Sequence, residues 1–276
     1  MNISAIDTGL FKLDGGAMFG VVPKTIWNKL NPADENNMCT WAMRCMLIET
    51  GHRKILIDTG IGNKQSEKFY SYYYLSGQDT LLGSLAAKGI KPEEITDVIL
   101  THLHFDHVGG AVCLNNDGEP TATFKNATYH VNKKHWDHAC NYNPREKASF
   151  ILENFMPLQE QKLLRFAAEN EEIIPGIWAH TVNGHTVSMI CPKIETPEGI
   201  LFYAADLFPS VAHIPANYVM GYDIEPLKTM VERTKACEMA MAENWKIFLE
   251  HDPKNELCRV IINDRGQFKG ESLGQL

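Results

Sequence analysis

The sequence lacks three features, each of which would have assigned it to another class of protein. No run of apolar residues approaches the roughly 18 that a membrane-spanning helix needs. Lysine and arginine form no dense run in a chain whose formal net charge is -8, and because phosphate backbones bind basic surfaces, a nucleic-acid partner is disfavoured. No serine or cysteine stands in an evident pairing with a general base, so a protein nucleophile is not expected.

Cysteine is present, but not in a pattern that binds a structural metal or forms a disulfide framework. The seven cysteines are odd in number and scattered, with no Cys-x-x-Cys pair. We therefore expect buried free thiols in a reducing compartment. Residues 1–7 lack a basic start followed by an apolar core, so no secretory signal is expected there. These features predict a cytoplasmic protein that has no membrane partner.

The length and composition predict one large domain over residues 1–276. The chain has 44% hydrophobic and 22% charged residues, which is typical of a globular protein with a substantial core. Strands are expected at 3–7, 42–50, 54–58, 97–101, 186–194, 200–205, 246–250 and 258–263. Helices are expected over 79–89, 132–141, 144–155 and 225–244, the first with Asp79 or Thr80 as its cap and Gly89 as its end.

The strongest signal is the run His102-Leu103-His104-Phe105-Asp106-His107, directly after the apolar residues 98–100. In an extended chain, side chains two apart point to the same side, so His102 and His104 can converge on one cation. A turn into a helix would bring Asp106 and His107 towards a second one. Imidazole and carboxylate ligands without cysteine favour a catalytic site for zinc, iron, manganese or nickel. A surface cluster of histidines is the alternative.

This run resembles the signature of the metallo-β-lactamase-fold hydrolases. The resemblance extends upstream to Asp58, which ends the apolar run 55–57, and downstream to His185, Asp206 and His251, so it covers most of the chain. It implies an α+β fold, an αββα sandwich of two mixed β-sheets flanked by helices. It also implies two divalent metal ions per chain, with zinc as the first choice and iron or manganese as alternatives.

The resemblance further implies how the ligands divide between the two ions. One ion would be held by His102, His104 and His185, and the other by Asp106, His107 and His251, with Asp206 bridging the pair. Asp58 would accept a hydrogen bond from a ligand imidazole and so fix its tautomer. Each of these residues also has an ordinary interpretation when it is taken singly. His185 and His251 could be hydrogen-bonded histidines without a metal. Asp206 could be the N-cap of a following turn, and Asp58 could belong to an Asx turn.

The implied activity is hydrolysis. A hydroxide shared by the two ions would attack the carbonyl of a lactone or ester, and phosphotriesters are a further substrate class. Asp106 is the expected proton donor to the leaving alkoxide, and Asp206 is the second catalytic carboxylate. A mononuclear iron oxygenase acting on persulfides, with iron on His102, His185 and Asp206, is the alternative from another class. A non-catalytic metal-binding protein is a third.

Within the superfamily, individual residues narrow the choice. His104 disfavours the flavodiiron oxidoreductases, which have glutamate there, and Asp206 disfavours true β-lactamases, which generally lack it. The remaining features of the sequence resemble the lactonase and organophosphate-hydrolase branch of the superfamily. One departure is Pro209, where acyl-homoserine lactonases commonly have a tyrosine that contacts the substrate carbonyl. Tyr218 and Tyr222 are the candidates to replace it.

A dense aromatic run, Phe69-Tyr70-Ser71-Tyr72-Tyr73-Tyr74-Leu75, is the other unusual feature. Three interpretations stay open: a lid over an apolar substrate, a homodimer contact, or ordinary core packing. Met18, Phe19 and Trp27 are further candidates to line an apolar pocket. If these aromatics face the site, the small-molecule substrate has an apolar arm.

Overall fold

Most of the regular structure is β-strand, in a computed structural model that describes residues 1–276. The strands are β1 (Asn2–Asp14), β2 (Met38–Thr50), β3 (Arg53–Ile57), β4 (Asp97–Ile99), β5 (Val112–Leu114), β6 (Pro120–Ala122), β7 (Thr128–Asn132), β8 (Leu164–Ala167), β9 (Glu172–Ile174), β10 (Ile177–Val182), β11 (Met189–Thr196), β12 (Gly199–Tyr203), β13 (Lys246–Phe248), β14 (Leu257–Ile262) and β15 (Phe268–Gly274). They form a six-stranded sheet, a seven-stranded sheet and the two-stranded ribbon β5–β6.

The helices are mostly short. They are α1 (Gly15–Phe19), α2 (Lys24–Trp27), α3 (Glu67–Ser71), α4 (Leu81–Ala87), α5 (Phe105–Val108), α6 (Lys133–Cys140), α7 (Met156–Glu160) and α8 (Pro226–Ala242). The longest, α8, has 17 residues. None of the helices combines the length and the apolar character that crossing a bilayer requires.

The chain divides into two compact units, each built from two separate segments. Unit 1 comprises Met1–Gly9 and Met43–Glu169, and unit 2 comprises Leu10–Ala42 and Asn170–Leu276. Strands β1 and β2 contribute residues to both units. A single domain over residues 1–276 stays a prediction.

The six-stranded sheet has the order β1-β2-β3-β4-β7-β8. β2 and β3 are antiparallel, whereas β3, β4, β7 and β8 pair in parallel. Residues 55–57 of β3 and 98–99 of β4 are fully buried, which is why both read as continuous apolar runs. Because parallel neighbours end at the same edge of a sheet, the segments that follow β3 and β4 come together there. The backbone N–H of Asp58 donates to the carbonyl of Ile99 at 3.0 Å.

The seven-stranded sheet has the order β15-β14-β13-β12-β11-β10-β9. Its one parallel pair is β12 and β13, in which Tyr203 is paired with Phe248. The chain therefore leaves both strands at the same edge, and Asp206 and His251 follow within a few residues. The N–H of His251 donates to the carbonyl of Pro209 at 3.1 Å.

Several predicted elements are present with shifted ends. α4 begins as expected at Thr80, whose hydroxyl accepts a hydrogen bond from the N–H of Gly83 at 3.1 Å. The predicted helix over 144–155 is wrong, because only Leu152–Asn154 forms a short 3-10 turn there. Asn143 Oδ1 instead accepts the N–H of Glu146 at 3.1 Å, so a turn replaces the start of a helix.

Candidate metal centre

The predicted metal-binding run begins just after β4 and turns into the short helix α5, as its residue types indicated. All four of its polar side chains are buried: His102, His104, Asp106 and His107. The ring centroids of His102 and His104 are 4.5 Å apart, and those of His102 and His107 are 4.0 Å apart. Imidazoles this close inside a protein repel one another if protonated, so the cluster favours neutral rings with lone pairs available to a cation.

Asp58 lies against this run. Its Oδ2 is 3.2 Å from Nδ1 of His107, and its carboxylate also accepts the N–H and the hydroxyl of Thr101 at 2.8 and 2.7 Å. The same hydroxyl lies 3.0 Å from Nδ1 of His102. Asp58 has a positive φ of 58°, a backbone conformation that is costly for most residues with a side chain and that recurs at functional sites.

Unit 2 brings the three downstream residues together. The two carboxylate oxygens of Asp206 lie between two imidazoles, with Oδ2 at 3.1 Å from Nε2 of His185 and Oδ1 at 3.0 Å from Nε2 of His251. Nδ1 of His185 is 3.0 Å from Asp223 Oδ1, and Nδ1 of His251 is 2.8 Å from the carbonyl of Ala42. Each ring therefore has one nitrogen held by the protein and the other turned to Asp206.

The carboxylates beside His185 favour a positive charge on or next to its ring. Burial alone would lower the pKa of His185, but the carboxylates of Asp206 and Asp223 raise it to about 9. Asp206 is itself 7% exposed, and an uncompensated carboxylate in such a place is costly. A divalent ion can take the place of the proton on His185.

Two backbone features hold these residues in place. Asp206 lies in a 3-10 turn, Ala205–Leu207, that begins with a positive φ of 44° at Ala205. Gly184 precedes His185, and a Cβ at Gly184 would lie 2.4 Å from the backbone N of Thr229. Only glycine allows this approach, so α8 packs directly on the segment that carries His185.

The donor set fits divalent metal ions of the zinc type. For four of the imidazoles, those of His102, His107, His185 and His251, a protein oxygen lies beside Nδ1. This arrangement leaves Nε2 for an ion and is typical of metal-binding histidines. All seven predicted ligands belong to groups with metal-binding spacing, in which donor atoms such as those of His102 and His104 lie within 4.8 Å of each other.

Several residues around the site had no signal in the sequence. Asp223 and Glu146 are isolated acids in ordinary segments, yet both are buried beside predicted ligands. His135 accepts the N–H of Leu103 at 2.8 Å through Nε2 and so fixes the backbone of the predicted metal-binding run. Only its place in a helix near other histidines hinted at such a role.

The aromatic run lies partly against the metal-binding residues. The ring centroids of Phe69 and Tyr73 are 5.4 and 4.6 Å from that of Phe105. Burial, with a further contribution from the charge of Asp106, raises the pKa of Tyr73 to about 12. Tyr72, in contrast, is 59% exposed.

The other candidate pocket residues lie elsewhere. The rings of Phe19 and Trp27 are stacked at 5.3 Å, and both residues, with Met18, are buried in unit 2. This favours core packing. Tyr218 lines a separate cavity of about 290 Å³ that none of the predicted ligands borders, and Tyr222 is 38% exposed.

Comparison with known proteins gives consistent matches. The family model for the "Metallo-beta-lactamase superfamily" matches residues 44–223. An N-acyl homoserine lactonase of Bacillus cereus is 25% identical over 249 residues, which cover 84% of this chain and 89% of that protein. A crystal structure of a probable metal-dependent hydrolase from Staphylococcus aureus matches with a TM-score of 0.89 and 29% identity, over 100% of this chain and 96% of that one. AidC, a dizinc quorum-quenching lactonase solved with a product, has a TM-score of 0.80 at 20% identity, with 100% and 97% of the chains covered.

Proposed function

Because this chain belongs to the metallo-β-lactamase superfamily, we propose that it is a dinuclear metal-dependent hydrolase that opens lactones. Membership confirms the resemblance that the metal-binding run indicated, the α+β fold with two mixed sheets and flanking helices, and the expectation of a hydrolase. The observation that carries the proposal is the position of Asp206. Its two oxygens lie about 3 Å from the Nε2 atoms of His185 and His251, and in each ring Nδ1 lies beside another protein oxygen.

We propose that the seven predicted ligands hold two divalent ions, with zinc as the first choice. The division of ligands is the one implied by the resemblance: His102, His104 and His185 for one ion, Asp106, His107 and His251 for the other, and Asp206 for both. Its support is the chemistry of the donors and the dizinc lactonase among the structures with the same fold.

Two ions bound in this way would lower the pKa of a shared water and polarise the carbonyl oxygen of the substrate. Asp206 has both oxygens directed at imidazoles, so it can bridge two positive centres. Asp58 lies against Nδ1 of His107 and favours the tautomer with hydrogen on Nδ1. Asp106, which is 8% exposed, is the group we propose to deliver a proton to the leaving alkoxide.

The substrate class follows from two independent supports. The matched curated relatives are N-acyl homoserine lactonases, and Phe69 and Tyr73 pack on Phe105, next to His104 and Asp106 in the chain. An apolar wall beside the reacting carbonyl favours a lactone that has an acyl chain. Esters and phosphotriesters remain secondary substrates, because they too concentrate negative charge on an oxygen.

The test is a substrate screen with purified, zinc-loaded protein. Lactones with short and long acyl chains, aryl esters, phosphotriesters and thioesters are assayed with wild type, His104→Ala, Asp206→Asn and the exposed control His52→Ala. We expect lactones to give the highest kcat/KM, the control to match wild type, and both ligand variants to retain less than about 1% of the activity. Full activity in the ligand variants would refute the catalytic assignment.

Metal analysis separates this proposal from the persulfide oxygenase. We expect about two zinc ions per chain, together with hydrolysis and without oxygen uptake. A content of about one iron ion per chain, together with oxygen uptake, would support the persulfide oxygenase instead. We also propose a cytoplasmic location, since all seven cysteines are free thiols. A homodimer and the lack of a nucleic-acid partner stay predictions, which sedimentation and filter binding would check.

A further inference from the structure

Unit 1 contains a buried carboxylate to which the proposed chemistry assigns no role. Glu146 is 3% exposed and lies in the turn that follows α6. Its Oε2 is 2.7 Å from Nε2 of His138 and accepts the side-chain N–H of Asn143 at 2.6 Å. Its Oε1 faces Nε2 of His104 at 3.6 Å. A carboxylate placed so deeply needs partners, and the imidazoles of His138 and His104 both lie beside it.

The segment that carries Glu146 is attached to the metal-binding run. The carbonyl of Ser149 accepts the N–H of Phe105 at 2.9 Å. The ring of Phe150 lies 4.9 Å from that of His104 and 5.8 Å from that of His138, centroid to centroid. The carbonyl of Glu146 in turn accepts the N–H of Ser149 at 2.8 Å. His104 is therefore enclosed on one side by residues 146–150.

His104 differs from the other predicted imidazole ligands in the ring nitrogen that faces an oxygen from outside the predicted ligand set. The other four have a protein oxygen beside Nδ1, whereas in His104 it is Nε2 that faces Glu146. A carboxylate only accepts hydrogen bonds, so it selects the tautomer with hydrogen on Nε2 and leaves the Nδ1 lone pair for an ion. At 3.6 Å the contact is electrostatic rather than a hydrogen bond.

We infer that Glu146, itself anchored by His138, is a positioning residue that sets the tautomer and orientation of His104. This inference rests on the proposed metal centre but not on the lactone substrate. An ion held at Nδ1 would leave the hydrogen on Nε2 directed at the Glu146 carboxylate.

The first test uses wild-type protein, so it does not depend on a variant that folds. Nitrogen-15 NMR of the zinc-loaded protein with labelled histidine reports which ring nitrogen carries hydrogen. We expect His104 to have hydrogen on Nε2, and His102, His107, His185 and His251 to have it on Nδ1. Hydrogen on Nδ1 of His104 would overturn the inference.

The second test measures zinc affinity by competition with a chromogenic chelator. Glu146→Ala is expected to weaken binding 10- to 100-fold, while the control Glu160→Gln, an exposed acid in α7, leaves it unchanged. Glu146→Gln preserves the shape, but its single oxygen can accept from only one of the two imidazoles, so an intermediate loss is expected. His138→Ala, which removes an anchor and not the acceptor, costs less than Glu146→Ala.

Thermal unfolding of the metal-free variants separates positioning from a purely structural role. The inference predicts that Glu146→Gln melts close to wild type without metal but binds zinc more weakly. Wild-type zinc affinity in both Glu146 variants would refute it. If zinc binding responds as expected and no lactone is hydrolysed, the substrate proposal fails and this inference stands. If His104→Ala binds zinc as wild type does, the metal centre itself fails.

Discussion

The guanidinium of Arg233 donates a hydrogen bond from Nε to the carbonyl of Leu207 at 2.7 Å, from a side chain with no exposed surface. Nη1 of the same group donates to the carbonyl of Tyr218 at 2.6 Å. Arg233 therefore joins α8 to the turn that presents Asp206 and to the segment that leads to Asp223. The planar fork of arginine reaches both carbonyls at once, which a lysine ammonium on one flexible stem does not do.

Replacing this group with lysine is expected to destabilise the protein. Arg233→Lys keeps the charge but leaves at least one buried carbonyl without a donor, which costs about 1–3 kcal/mol. Urea unfolding of metal-free protein measures the loss, and the exposed control Lys235→Ala should change stability by less than about 0.5 kcal/mol. Equal stability of Arg233→Lys and wild type would show that the fork geometry contributes little.

Metal removal is expected to abolish hydrolysis and to lower the melting temperature. An ion that binds only the folded chain stabilises it by about 4 kcal/mol at a thousand times its Kd. Zinc added to chelator-treated wild type should restore both properties. Asp206→Asn should show a much smaller zinc-dependent rise in Tm. The same rise in the variant and in wild type would exclude Asp206 as a ligand.

The aromatic residues next to the metal-binding run are expected to determine the preference for acyl chains. Tyr73→Ala removes a ring that packs on Phe105 at 4.6 Å. Loss of this apolar contact should raise KM for long-chain lactones about tenfold, or about 1.4 kcal/mol, with less than a twofold change for short-chain lactones. Tyr72→Ala, at a 59% exposed position, is the control. A uniform fall in kcat across both substrates would instead indicate a role in catalysis.

The stability of unit 1 is expected to depend on pH through Asp97. Burial would raise the pKa of this carboxyl, but hydrogen bonds from His130, Thr96 and Arg53 lower it to about 2. Since the ordinary pKa of an aspartate is 3.8, the stabilisation is fully present above about pH 4 and is lost as the pH falls through about 2. A pKa difference of this size between the unfolded and the folded chain stabilises the folded state by about 2 kcal/mol.

The measurement for Asp97 compares the unfolding free energy of metal-free wild type and Asp97→Asn from pH 7 to 2. The variant should be less stable by about 2 kcal/mol at pH 7, and the two curves should converge below pH 4. Asp137→Asn, which removes an exposed ion pair with Lys133, should alter stability by less than about 1 kcal/mol. Parallel curves for wild type and Asp97→Asn would contradict the assignment.

Two parts of the molecule could be predicted because their signal is local. The run 102–107 follows a buried strand, so chain geometry alone brings its side chains together. α4 has a threonine cap and a final glycine, which act within one turn of the helix. The apolar runs of β3 and β4 likewise reflect burial on both faces, which the sequence records directly.

The predicted helix over 144–155 failed for the opposite reason. The apolar spacing is present, but Phe150 packs on His104 and the carbonyl of Ser149 binds the N–H of Phe105. Tertiary contacts of this kind override a weak local preference. Strand β15 was missed because much of it is exposed and carries no apolar alternation.

The sequence alone predicted which residue types would act as ligands and in which order they follow one another along the chain. It also indicated the family that the chain resembles. Those properties depend on residue identity and short spacings. The tertiary structure decided which charged groups lie beside which predicted ligands: Asp223 next to His185, Glu146 next to His104, and Arg233 next to the turn that carries Asp206. Each of these pairs is separated by tens of residues, and an isolated acid or arginine in the sequence looks the same whether it faces solvent or a buried imidazole. Only packing brings such groups together, because burial is what makes an unpaired charge costly and its partner necessary.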